Sequence, residues 1–175
     1  GSYTMDDVTL QAGSVIEVSG RVHGIWYDDY QYRVTGNISI DAGDTLVIEP
    51  GTMVLFMGPY QFGVSGSIIA VGTEQDSIYI TSGHAVKSPT DWKGIRLQHW
   101  SGNEALTDRV TTFQYCNISH GGTDGALIYD SDAYNNINFV GSLKILNSYI
   151  HHSSGHGIYS YASKLDVSDT RVTFY

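Results

Sequence analysis

Leu143-Lys144-Ile145-Leu146-Asn147-Ser148-Tyr149-Ile150 is answered later in the chain by Leu165-Asp166-Val167-Ser168-Asp169-Thr170-Arg171-Val172. Leu143, Ile145, Ser148 and Ile150 meet Leu165, Val167, Thr170 and Val172 at a constant offset of about 22 residues. Reading backward, Thr111, Phe113 and Ile118 meet Leu143, Ile145 and Ile150 at about 32. Apolar residues at alternate positions give a strand, whose side chains alternate between two faces. A constant offset across several such columns means that one short unit is stacked on the next.

The same grammar runs through the rest of the chain. Ile38-Ser39-Ile40, Leu46-Val47-Ile48, Val54-Leu55-Phe56 and Ile78-Tyr79-Ile80 are short alternating runs, usually with Gly, Asp, Asn or Ser nearby. No segment keeps apolar residues at i, i+3, i+4 and i+7 over three turns, so the chain is all-β. Val34-Thr35-Gly36-Asn37-Ile38-Ser39-Ile40 is read as recurring at Val64-Ser65-Gly66-Ser67-Ile68-Ile69-Ala70, and Thr45-Leu46-Val47-Ile48 at Ser77-Ile78-Tyr79-Ile80. Gly94-Ile95, Gly125-Ala126 and Gly157-Ile158 follow at spacings of about 31 and 32. A repeat of 22 to 32 residues suits three strands and three turns, with insertions expected at 82–91, 101–108 and 133–136. A two-sheet sandwich is the architectural alternative, but hairpin pairing does not demand a constant offset between columns.

Composition fits turn-rich β structure. Charged residues make up 15% of 175 residues, and 20 Gly supply turns while 13 Tyr suit strands. The net charge of −9 repels polyanions on average, so nucleic acid is not an expected partner. No run of about 18 apolar residues is present, so no membrane-spanning helix is expected. Cys116 is the only cysteine; it excludes an internal disulfide and is expected inside the coil.

The stretch Tyr32-x-Val34-x-Gly36-x-Ile38-x-Ile40-x2-Gly43-x-Thr45-Leu46-x-Ile48-Glu49-Pro50-Gly51-Thr52-x-Val54-x-Phe56 resembles the opening coils of bacterial and archaeal right-handed parallel β-helix surface proteins. Asp91-Trp92-Lys93-Gly94-Ile95 resembles a strand entry of that group, and Ser154-Gly155-His156-Gly157-Ile158-Tyr159 the pectin-lyase-like coil repeat. The resemblance implies a single-stranded right-handed parallel β-helix of six to seven coils and an extracellular or cell-surface location. Residues 1–31 fit the repeat poorly and are expected to form an N-terminal cap, with Gly24-Ile25-Trp26-Tyr27 closing the first coil; the coil occupies 32–175.

Stacking converts columns into candidate sites. Lys93, Asp124 and His156 each precede a glycine at a strand entry, and a base, a carboxylate and an imidazole in line could do acid–base work on a sugar. The bland reading is a polar ladder at a turn. Gly155-His156-Gly157 matches a tripeptide of polygalacturonases, but the accompanying carboxylates of that family do not occur at fitting positions. His120 and His152, with Asp124, are the candidate metal ligands, and His151 adjoins them. No cofactor is required, though Asp124, Asp130 and Asp132 could hold calcium in a turn. Tyr149, Tyr159 and Tyr161 are the candidate ligand-binding aromatics, and Val172, Phe174 and Tyr175 the candidate assembly residues. The resulting expectation is a non-catalytic structural or adhesion module whose partner is a polysaccharide or another copy of itself stacked end to end. A carbohydrate-active enzyme working in a surface groove is the alternative.

Overall fold

The computed structural model describes residues 13–98, 110–131, 141–161 and 164–173. Every described strand pairing is parallel. In chain order the strands are β1 (Ser14–Arg21), β2 (Gly24–Trp26), β3 (Tyr30–Ile40), β4 (Thr45–Ile48), β5 (Met53–Phe56), β6 (Gln61–Val64), β7 (Ser67–Val71), β8 (Ile78–Ser82) and β9 (Gly94–Gln98). They continue as β10 (Val110–Gln114), β11 (Cys116–Gly121), β12 (Ala126–Ser131), β13 (Ser142–Leu146), β14 (Tyr149–Ser153), β15 (His156–Ser160), β16 (Lys164–Ser168) and β17 (Arg171–Val172).

Three stacks result. The first contains Tyr30–Val34 of β3, then β5, β8, β11, β14 and β17; the second contains Ile38–Ile40 of β3, then β6, β9, β12 and β15. The third runs β2-β4-β7-β10-β13-β16. The chain therefore visits each stack once per turn, through six coils, and β17 opens a seventh. Within the segment expected as a cap, β1 pairs with β3, with a register shift between Val18 and Gly20, and β2 pairs with β4, so residues 14–26 add a parallel coil to the stacks. Trp26 lies in its interior, stacked on Tyr32 with ring centroids 4.3 Å apart.

Alternation along each strand makes the core. Tyr32, Val54, Ile80, Ile118 and Ile150 succeed one another in register and are all buried. On the third stack Phe113 meets Ile145, which meets Val167. Each fully buried Ile or Phe contributes about 1.5–3 kcal/mol relative to exposure, so a column repeated every coil is the main stabilising element. Cys116 joins this interior as a free thiol, and burial pushes its ionisation upward, which keeps it unreactive. At four of the corners from the third stack to the first the chain turns through one left-handed residue: Gly51, Tyr115, Asn147 and Asp169 have φ of 84°, 49°, 49° and 48°.

The late registers are those read from the sequence: Leu143 faces Leu165, Ile145 faces Val167 and Ile150 faces Val172. The early ones are not. Ile38–Ile40 pair with Phe62–Val64, and Thr45–Ile48 with Ser67–Ala70, so the expected matches to Ile68–Ala70 and Ile78–Ile80 crossed from one stack to another. Coil length is the reason. First-stack partners fall at residues 31, 53, 79, 117, 149 and 171, giving steps of 22, 26, 38, 32 and 22. The longest step exceeds the expected range because that coil carries both residues 83–93 and residues 99–109 between its strands.

The first of those insertions is pinned by a carboxylate. Asp91 Oδ2 accepts from Ser82 Oγ at 2.5 Å and from the Ser88 N–H at 2.9 Å, while Oδ1 lies 3.3 Å from His84 Nδ1. Burial pushes the Asp91 carboxyl up, but the Ser82 and Ser88 hydrogen bonds and the neighbouring His84 outweigh it and hold the group below its ordinary value. The sign follows: this contribution is fully present above the unfolded carboxyl value of about 3.9 and is lost as pH falls through the lower folded value. Asp91→Asn is expected to cost about 1.5–3 kcal/mol at neutral pH, measured by urea unfolding, with the difference from the wild-type chain shrinking toward zero in strong acid. A difference that stays constant from neutral pH into strong acid would show that the charge is not what pins the loop.

Candidate functional site

The second stack presents an ordered outer face. Gly63, Arg96, Tyr129 and Tyr159 follow one another in register on β6, β9, β12 and β15. Ile95 and Leu97 point inward and are buried, so alternation turns Arg96 outward between them. Its guanidinium carbon lies 4.6 Å from the centre of the Tyr129 ring. Tyr129 in turn stacks on Tyr159, centroids 5.0 Å apart and planes within 13°. The His156 ring is 6.0 Å from that of Tyr159, and Tyr161, just beyond β15, is 75% exposed. The result is a cation-capped aromatic ladder whose rung spacing is that of the coils, with phenol and guanidinium donors along its edge.

Lys93 and His156 stand at the mouth of this face, but Asp124 is not in line with them. Ala126 pairs with His156, and Lys93 comes two residues before Ile95 just as Ala126 comes two before Ile128. Asp124 is therefore two residues out of the expected column. The turn before β12 explains it: Gly122 and Gly125 take left-handed φ of 96° and 112°, which lets the chain add residues before the strand begins. Asp124 Oδ2 is engaged by Gln61 Nε2 at 3.2 Å, and its N–H lies 3.4 Å from the Lys93 carbonyl oxygen. The glycines flanking His156 have packing roles, since a Cβ at Gly155 would meet the Gly125 backbone and one at Gly157 would meet Val172.

The remaining candidates are dispersed. His120 and His152 do come together, with rings 4.5 Å apart and planes within 12°. Flat stacking directs their lone pairs into parallel planes rather than onto one ion, and Asp124 belongs to the turn of another stack. Among the described residues no three His, Cys, Asp or Glu side chains are placed to hold a metal ion. Asp130 is fully buried in register with Leu97, where Ser160 Oγ donates to it at 2.8 Å. Asp124 is exposed, so those two carboxylates do not face a common calcium site, and Asp132 lies outside the described residues.

Tyr149 is on the first stack, 4.1 Å from the His151 ring, and so is separated from Tyr159 and Tyr161. Val172 pairs with Ile150 and packs partly buried against the core, while Phe174 and Tyr175 lie outside the described residues. Leu165 and Val167, which continue the buried column of Leu143 and Ile145, are 45% and 41% exposed.

Arg96 and Tyr129 were not singled out by sequence reasoning. The signal was present: the three ladder residues fall at intervals of 33 and 30, but aligning the glycines Gly94, Gly125 and Gly157 hid it.

A family model described as a pectate-lyase like beta helix domain matches residues 16–143. No curated protein and no solved structure matches the chain.

Proposed function

The chain belongs to the pectate-lyase-like β-helix domain family, and from that premise we propose that it is a non-catalytic, extracellular module that binds glycan chains along the outer face of its second stack. The observation that carries this reading is the Arg96–Tyr129–Tyr159 ladder, continued by the exposed Tyr161. Aromatic surface gives sugar rings an apolar platform, and guanidinium and phenol groups answer their hydroxyls. The core beneath is built from consecutive buried columns, so the platform is rigid and loses little entropy on binding.

The catalytic alternative is less well supported. Asp124 is two residues out of line with Lys93 and His156, and its carboxylate accepts a hydrogen bond from Gln61. A general acid or base must lie within hydrogen-bond reach of the proton it moves.

The test is affinity electrophoresis of the full chain in gels containing neutral or acidic polysaccharides, followed by titration calorimetry on any glycan that retards it. Tyr159→Ala combined with Tyr161→Ala is expected to weaken binding about tenfold or more, the usual effect of truncating central aromatic contacts. The bound glycan is expected to keep its length and reducing ends. Retardation by no polysaccharide, or equal binding by the double variant, would refute the proposal. Cleavage of the glycan would favour the enzymatic alternative.

A further inference from the structure

An Asn followed two residues later by Ser, with no Pro between, is the acceptor pattern for N-linked glycans. The chain carries it twice, as Asn37-Ile38-Ser39 on β3 and Asn117-Ile118-Ser119 on β11. The two copies share a tripeptide and an alternation. Ile38 and Ile118 are buried in the core, so each Asn and its Ser stand on the outer side of the strand. Their surroundings are opposite.

Asn37 lies at the corner between the part of β3 that pairs with β5 and the part that pairs with β6. It is exposed, and Ser39 is half-buried. Glycines surround the pair. Gly36 precedes Asn37, Gly20 stands in register with Ile38 on the coil before, and Gly63 faces Ser39 on the coil after. A Cβ at Gly20 would meet nothing within 4 Å, so that side is open. The Gln61 N–H donates to Asn37 Oδ1 at 2.9 Å. That bond orients the carboxamide through its oxygen and does not use its nitrogen, the atom that bonds a glycan.

Asn117 is 7% exposed and Ser119 2%. Tyr79 and Tyr149 stand in register with Asn117 on the coils before and after, and His151 stands in register with Ser119. Asn117 Oδ1 accepts from His151 Nε2 at 2.9 Å, and Ser119 Oγ lies 2.8 Å from Thr81 Oγ1. A sugar on the Asn117 nitrogen must displace side chains from three successive coils. One on Asn37 displaces none of these.

We propose that Asn37 is an acceptor site for an N-linked glycan, and that the fold excludes Asn117 from the same role. The inference rests on the extracellular reading above only for where the chain meets a donor. That donor is a sugar whose anomeric carbon is esterified to a lipid-borne phosphate or pyrophosphate. Asn37 Nδ2 forms a bond to the anomeric carbon as the bond from that carbon to the phosphate oxygen breaks. The phosphate leaves with the electron pair, Nδ2 gives one proton to a base of the transferase, and nothing is oxidised or reduced. Oδ1 keeps its lone pairs, so the Gln61 hydrogen bond survives the modification. A bulky, solvated group at this corner extends away from the stacks and leaves the core untouched.

The test is expression of the full chain behind a secretion leader in a eukaryotic host, followed by intact mass and peptide mapping of the secreted, folded protein. One glycan per chain is expected, on Asn37, with Asn117 bare. Ser39→Ala leaves Asn37 and its Gln61 bond in place and is expected to lose the glycan with thermal unfolding of the deglycosylated chain unchanged. Ser39→Thr is expected to keep it. A secreted chain bare at Asn37, or one that is folded and modified at Asn117, would overturn the proposal. So would a glycan that persists in Ser39→Ala. If the host secretes no chain, the same readings are made on purified folded chain incubated with a single-subunit oligosaccharyltransferase and its lipid-linked donor, and the same outcomes decide. Either arm supplies the donor itself. A chain retained inside its own cells would refute the extracellular reading and leave the result at Asn37 standing.

Discussion

Trp92→Ala is expected to destabilise the chain by about 3–5 kcal/mol, the range for deleting a fully buried indole. A domain of this size is stable by only about 5–15 kcal/mol, so the change should remove about a fifth or more of the total. Trp92 sits at the end of the insertion after β8 but belongs to the core: it is fully buried and stacks on Phe56 with centroids 4.1 Å apart. Its Nε1 donates to the Ser119 carbonyl oxygen at 2.9 Å, and its own carbonyl accepts the Gly122 N–H at 3.0 Å. One side chain thus ties β5 of one coil to β11 two coils later, across the step that carries the insertions.

Room for the indole is made by Gly121, where a Cβ would come within 2.4 Å of Trp92 Nε1. Gly121→Ala should therefore be costly in the wild-type chain and nearly neutral once Trp92 is Ala. A double-mutant cycle by urea unfolding should give a coupling of about 1–3 kcal/mol. Additive effects, or a Trp92→Ala cost under about 1 kcal/mol, would show that the insertion and the coil are energetically separate.

The sequence was most legible where the coils are most alike. The offset of 22 between Leu143 and Leu165 survives in the structure because the intervening turns lack insertions beyond what the repeat itself needs. Earlier, Val and Ile occupy inward positions on every stack, so alternation reports that a residue faces the core without saying which wall it belongs to. Val34–Ile40 could be laid over Val64–Ala70 for that reason, although those segments turn different corners. Turn length was the missing quantity, and turn length depends on backbone conformations that periodicity does not encode.

The candidate site failed and succeeded on the same ground. Two left-handed glycines before β12 displaced Asp124 from the Lys93–His156 line, while Tyr159 was named as a candidate ligand-binding aromatic without its neighbour Tyr129. His120 and His152 were paired correctly because the step between β11 and β14 is a constant 32 residues. What that pair does could not be read from the spacing. Flat stacking, with His151 wedged edge-on, depends on the left-handed backbone at both histidines.

Turns also set the second large effect. Gly66 lies between β6 and β7, and a Cβ there would stand 2.2 Å from the Asp44 carbonyl oxygen and 2.4 Å from that of Asp41. Both oxygens are backbone atoms already in use, since Asp41 O accepts from Asp44 N at 3.1 Å and Asp44 O from Ser67 N at 3.0 Å. Backbone cannot rotate away as a side chain can, so Gly66→Ala must part the two coils at this corner. A cost of about 3 kcal/mol is expected, the upper end for forcing atoms into a packed site.

Gly43, in the turn beneath, provides the contrast. Its φ is +90° and nothing lies within 4 Å of its missing Cβ, so Gly43→Ala meets only backbone strain, about 1–2 kcal/mol. Gly43→Asn should cost less still, because Asn visits the left-handed region more readily. Thermal unfolding of the three variants should rank them Gly66→Ala, Gly43→Ala, Gly43→Asn from most to least damaging. The opposite order for the two alanine variants would mean that conformational preference, not the close approach of stacked coils, is what requires glycine at these corners.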